Sequence, residues 1–216
     1  MAIGDHLRDV MDLYGSPKCP HTNAVLIAAG EKGVDINSHV EDDWGPSSSI
    51  RSMSPLGIGP VLKDRSAINI GVVSCMSYLD DKGFGPSLVH RNGVTRARMF
   101  QEITIAQQTD CSDDAALAAA LDQLEATLNS PLGNMKGDYC VGQYTLADCA
   151  WAGVCQVATN MGKGTAVSSR SAVNTWFAAV QSHPSTSKEA INPFSCLSTK
   201  ADHDGNTMRD VRINTA

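Results

Sequence analysis

The chain has 216 residues, 42% hydrophobic and 19% charged, with 17 Lys and Arg against 23 Asp and Glu for a formal net charge of −6. Such a length can bury a core and lies between one large domain and two small ones, and the composition fits neither a disordered chain nor one with a long apolar run. An acidic balance without a dense basic block argues against nucleic acid and membrane as partners, leaving a small molecule or a protein.

The N-terminal run MAIGDHLRDVMD carries acidic residues and no continuous apolar core, so no secretory or transit segment is expected there and the cytoplasm is the expected compartment. Cys19, Cys75, Cys111, Cys140, Cys149, Cys155 and Cys196 show no CxxC spacing, which points to reduced, packed thiols rather than a zinc site or a disulfide framework. His6, His21, His39, His90, His183 and His203 lack ligand spacing, so no metal is expected.

Met11 to Tyr14, bounded by Gly15, Ser16 and Pro17, reads as a strand entering a turn. A helix over Pro20 to Lys32 follows, with Pro20 at the first helical position, Val25, Leu26, Ala28 and Ala29 on its apolar face and Gly33 just past its end. Asp35 to Val40 is a modest strand and Glu41 to Ser49 a loop. Val61 and Leu62 form a brief strand, and RSAINI another, paired with it as a hairpin through a turn at Lys63 to Ser66. Val72, Val73, Cys75, Met76 and Leu79 recur at helical spacing up to Asp80, after which DKGFGPS interrupts the chain. The first part is thus an α/β unit of roughly 80 residues, a usual domain size.

Beyond the interruption only helical patterns appear. GVTRARMFQEITIAQQ is a helix, and Leu117, Leu121, Leu124 and Leu128 form a stripe of ordinary core spacing. Thr145 and Asp148 make a capping-box-like start for the apolar run through Trp151, Val154 and Val157, and a last helix carries Val173, Trp176, Phe177 and Val180. After Phe194 the chain is polar and weakly patterned.

Five segments in this order resemble the glutathione transferases. LYGSPKCPHTNAVLIAAGEKGV resembles the family's first strand, active-site turn and first helix, and SPLGIGPVL its cis-proline segment, with Pro60 at the cis-proline. VLKDRSAINIGVVSCMSYLDD resembles the hairpin and helix that follow, while YCVGQYTLADCAWAGV and VNTWFAAVQSHPS resemble the capping-box segment and late helix of the helical domain. The resemblance implies an α/β plus all-α architecture: a thioredoxin-like, glutathione-binding domain over 1–82, a linker over 83–90 and an all-helical domain over 91–216 with a polar C-terminal tail. It also implies glutathione as co-substrate, a homodimer, and a small hydrophobic electrophile or a mixed disulfide as second substrate.

By the same resemblance Cys19 occupies the catalytic position, as in the omega, lambda and dehydroascorbate-reductase classes, and CPHT resembles their CPFC or CPFS. A helix start favours an anion, so a thiol there ionises more readily than in water, and a thiolate can attack sulfur. Thr22 stands where a second cysteine would, leaving a one-thiol route of thiol transfer, reduction or deglutathionylation. Gly59, Pro60, Gly71, Val72 and Ser16 fall at glutathione-binding positions. Ser16 also suits a turn, Tyr14 could supply a hydroxyl, Lys18 a positive charge and His21 a weak base.

Three positions depart from the family pattern. Gly71 and Val72 replace its Glu-Ser pair at the start of the third helix, and Ile58 replaces its lysine. Neither of the first two side chains can hydrogen-bond a carboxylate, which leaves backbone amides, Asn69 or Ser74 as anchors. The connection TDCSDD implies an open or shallow pocket for the second substrate. Three readings stay open: cysteine-type thiol transfer, conjugation of glutathione to electrophiles, and a non-catalytic binding or structural protein.

Overall fold

The structure, a computed structural model, describes residues 10–41, 48–129 and 137–183. The run before Val10, most of the Glu41 to Ser49 loop, Cys196 and the polar tail lie outside these residues. Buried and half-buried side chains alternate along strand β1 (Met11–Gly15), which runs parallel to β2 (Ile36–Val40) and antiparallel to β3 (Val61–Asp64). Strand β4 (Ala67–Ile70) completes a four-stranded sheet in the order β2-β1-β3-β4. A parallel pair cannot be joined by a tight turn, and helix α1 (Pro20–Glu31) supplies the crossover.

Helix α1 starts with Pro20 at its first position and ends at Glu31, one residue short of the expected Lys32, which caps it, with Gly33 following at φ 60°. The hairpin turn is tighter than the sequence indicates: the ladder continues to Asp64 opposite Ala67, leaving only Arg65 and Ser66 to turn, with Arg65 at φ 53°. Helix α2 (Ser49–Met53) lies where the sequence reads as a loop. Its exposed amides are met from outside the helix, by the Ser48 hydroxyl at Arg51 N (3.1 Å) and the Glu41 carboxylate at Ser49 N (3.0 Å). Helix α3 (Val72–Lys82) follows Gly71, whose φ of 82° a side chain would strain.

The helical half comprises α4 (Gly93–Gln108), α5 (Asp114–Asn129), α6 (Leu146–Ala158), α7 (Gly164–Ser168) and α8 (Ser171–Gln181). A π-helical turn at Thr159–Lys163, broken by Gly162 at φ 80°, joins α6 to α7; neither it nor α7 is visible in the sequence pattern. Helix α6 is buried along its whole length and is the axis of this half. Leu117, Leu121 and Leu124 of α5 are buried and Leu128 packs against the same core. At Gly153, α6 comes so close to the start of α1 that an added Cβ would meet the carbonyl oxygen of Pro20. Only glycine permits that approach, and it sets α6 directly behind the Cys19 turn.

Within the sheet-containing half, Lys32 at the end of α1 and Asp80 of α3 form a buried ion pair of 3.0 Å. Lys32 Nζ also donates to Pro86 O (3.0 Å), and Asp80 accepts from Leu88 N and Ser87 Oγ (2.7 Å each), so one pair fixes the connecting segment. Burial opposes ionisation of Asp80, but Leu88 N–H, Ser87 and Lys32 outweigh it and hold its carboxyl below the usual range. A depressed carboxylate stabilises the fold above its unfolded pKa and loses that contribution as pH falls through the folded value. Asp80→Asn keeps an acceptor oxygen for Leu88 N and turns an amide donor toward Ser87 Oγ, but leaves Lys32 without its counter-charge. We expect a loss of about 2–3 kcal/mol at pH 7, read by denaturant unfolding, with the difference from wild type shrinking below about pH 4.

Candidate active site

Tyr14 pairs with Val61, and Val61 with Ile70, so the end of β1, the start of β3 and the end of β4 share one edge of the sheet. That edge carries the Cys19 turn, the cis Gly59–Pro60 bond and the start of α3. Cys19 is the residue before α1, in extended conformation (φ −95°, ψ 121°), and its N–H donates to Ser16 O at 3.0 Å. Ser16 Oγ accepts from Lys18 N (3.1 Å), which closes the turn.

Among the described cysteines, Cys19 is half-buried, whereas Cys75, Cys111, Cys140, Cys149 and Cys155 are buried. Burial pushes the thiols of Cys75 up to about 12 and Cys111 up to about 11, and those of Cys140, Cys149 and Cys155 upward as well. Cys19 moves the other way. Partial burial opposes its ionisation, yet the His21 imidazole and the N–H groups of Thr22 and His21 outweigh it and hold the thiol below the usual range.

His21 is the partner that makes this possible. Its Nε2 lies 3.1 Å from Gln107 O. A carbonyl can only accept, so Nε2 carries the proton and Nδ1 is left to exchange one with the thiol. Interaction with Cys19 raises the His21 pKa, against burial and with further support from Gln107. Gln107 belongs to the last turn of α4, the end of a helix that favours a cation. Each member of the pair therefore favours the charged form of the other, as in a thiolate–imidazolium pair.

Gly59 and Pro60 are buried, and Pro60 O accepts from Gly71 N at 2.8 Å, tying the proline segment to the start of α3. Val72 is buried in the core, so only its N–H can face a ligand. Asn69 O is contacted by Cys75 Sγ (3.3 Å), while Ser74 is exposed on α3. Tyr14 stacks on His39 with ring centres 4.4 Å apart, and His39 bonds Asp12 at 2.8 Å, so the ring belongs to a polar cluster on one face of the sheet. Lys18 is exposed, as is Ile58. The chemical importance of His21 is understated by its sequence setting, because its partner Gln107 lies on a helix of the other half.

No family model matches the chain. It is similar to the stringent starvation protein A homolog of Coxiella burnetii, 32% identical over 91 residues. That match covers 42% of this chain and spans less than half, 44%, of the Coxiella protein. Among solved structures, a delta-class glutathione transferase of Nilaparvata lugens superposes with a TM-score of 0.68 at 22% identity, covering 87% of this chain and 99% of that one. The fold is that of the glutathione transferases. A maleylacetoacetate isomerase of Methylobacterium extorquens AM1, determined with bound malonate and glutathione, has the same glutathione-transferase fold: TM-score 0.69, 17% identity, 81% of this chain and 93% of that one covered. Within this fold, the thioredoxin-like part is the four-stranded sheet with α1 to α3, and the helical part is α4 to α8. Among the described residues, no helix is long and apolar enough to cross a membrane.

Proposed function

We propose that the protein is a glutathione-dependent thiol transferase in which Cys19 is the one reacting cysteine. The observation that carries this reading is the pairing of Cys19 with His21 at the opening of α1, with Nε2 of His21 committed to Gln107 O. In the reaction the Cys19 thiolate attacks the glutathione sulfur of a mixed disulfide. The S–S bond breaks, the departing thiolate takes a proton from His21, and Cys19 carries glutathione as a mixed disulfide. A second glutathione gives its proton to His21 and attacks the glutathionyl sulfur, releasing glutathione disulfide and restoring the thiolate. Thr22 is buried at the position of a second cysteine, which suits the one-thiol route.

Glutathione as co-substrate is supported by the likeness to the Methylobacterium isomerase, which holds it. In this reading the backbone of Gly59 beside Pro60 receives its cysteinyl part, the N–H of Val72 its γ-glutamyl end, Gly71 opens the helix there with its own N–H held by Pro60 O, and Ser16 shapes the turn. The same reading divides the chain into a glutathione-binding unit over 1–82, a connection over 83–90 and a helical unit over 91–216, and takes the working form as a cytoplasmic homodimer. The buried Val72 side chain favours a second reading, a binding protein without turnover, because no side chain there meets a carboxylate.

Incubation with glutathione disulfide followed by intact-mass measurement tests the first reading. The expected product is one glutathione per chain, mapped to Cys19 and removed by excess glutathione. An unmodified Cys19 on a folded chain that immobilised glutathione does not retain would favour the second.

A further inference from the structure

Asn23 sits in the first turn and a half of α1 and is fully buried. Its Nδ2 donates to Pro17 O at 2.9 Å and to Cys19 O at 2.8 Å. Both partners are carbonyls and can only accept, so the amide has one possible orientation, with nitrogen toward them. Cys19 O additionally accepts from Asn23 N (3.2 Å), the first hydrogen bond of the helix. One side chain thus joins the last carbonyls of the incoming loop to the start of the helix, on both sides of Lys18. We propose that Asn23 is a positioning residue for Cys19, holding the loop-to-helix junction so that Sγ stays over the first amides of α1 and beside His21.

The physical grounds are local. Sγ leaves a backbone whose direction is set by the carbonyls at Pro17 and Cys19, and those two oxygens converge on one amide group. Without that amide, the part-buried Pro17 O loses its donor and Cys19 O keeps only the backbone N–H of Asn23, so the loop carbonyl reorients to find another partner and swings the Cys19 backbone with it. Oxygen dipoles that turn toward sulfur also disfavour its anion. The titratable groups bearing on Cys19 are His21 from its own helix and Cys111 from the connection between α4 and α5.

This inference rests on the reading of Cys19 as the reacting thiol, and the test separates the two. Iodoacetamide alkylation of Cys19, followed by peptide mass across pH, is measured for wild type, Asn23→Leu and Asn23→Ser, with circular dichroism as the check on folding. Leucine fills the space without a donor, and the expected result is a midpoint about one unit higher and a rate at pH 7 about tenfold lower. A serine hydroxyl can still reach the carbonyl four residues back, so its midpoint should fall between those of wild type and leucine, with about a threefold loss. A leucine profile that overlays the wild-type one overturns the positioning role while leaving the reacting thiol in place. A wild-type midpoint at the free-thiol value overturns both. Should the leucine variant fail to fold, serine decides: an intermediate midpoint supports the role and an unchanged one overturns it.

Discussion

Replacing Cys19 by serine should lower turnover of a glutathione mixed disulfide by roughly three orders of magnitude, the scale on which enzymes lose rate when a nucleophile is removed. A serine hydroxyl is not ionised at neutral pH by His21 and cannot form the mixed disulfide, so no protein-bound glutathione should accumulate either. It can, however, donate a hydrogen bond to a bound glutathione thiolate. A gain of conjugating activity toward an aryl halide is therefore the expected companion of the loss. Unchanged mixed-disulfide turnover would place the reacting thiol elsewhere, and the other described cysteines are all buried with raised pKa values.

The second large effect is on stability. Asp148 is buried and accepts from Cys140 N (2.9 Å), Thr145 N (2.8 Å), Thr145 Oγ1 (3.1 Å) and Trp176 Nε1 (2.8 Å). One carboxylate therefore starts α6, holds the segment before it and joins α6 to α8. Asp148→Ala strands three N–H donors in the interior, each at about 1–3 kcal/mol, and we expect a total loss of about 4–6 kcal/mol in denaturant unfolding. Because α6 packs against the start of α1 at Gly153, the same variant should also slow alkylation of Cys19. A loss under about 1 kcal/mol would mean that water reaches those donors in the variant.

How far the fold can be read from the sequence depends on whether the determining contacts are local. Helix α1 is bracketed by Pro20 and Gly33, and the α5 stripe by its leucine spacing, so both are legible within a dozen residues. Helix α2 is not, because it is too short for a hydrophobic period and its amides are met by Glu41, eight residues before Ser49. The π-helical turn is equally hidden, since the apolar pattern ends before Thr159 and the break at Gly162 is a backbone event. At the site, Cys19 is legible from its place before Pro20. Its partner is only half legible: His21 is two residues away, but the Gln107 carbonyl that fixes its protonation comes from the end of α4 and leaves no mark in the sequence around the cysteine.

The proposed chemistry depends on the charge of the Cys19 sulfur. It is tested most directly by the ultraviolet thiolate absorbance of wild type minus that of Cys19→Ser, followed from acid to alkaline pH. One thiolate should appear with a midpoint below the ordinary thiol value of about 8.5, and His21→Ala should move it upward. A difference signal that rises only at or above that value, indifferent to His21, would contradict it.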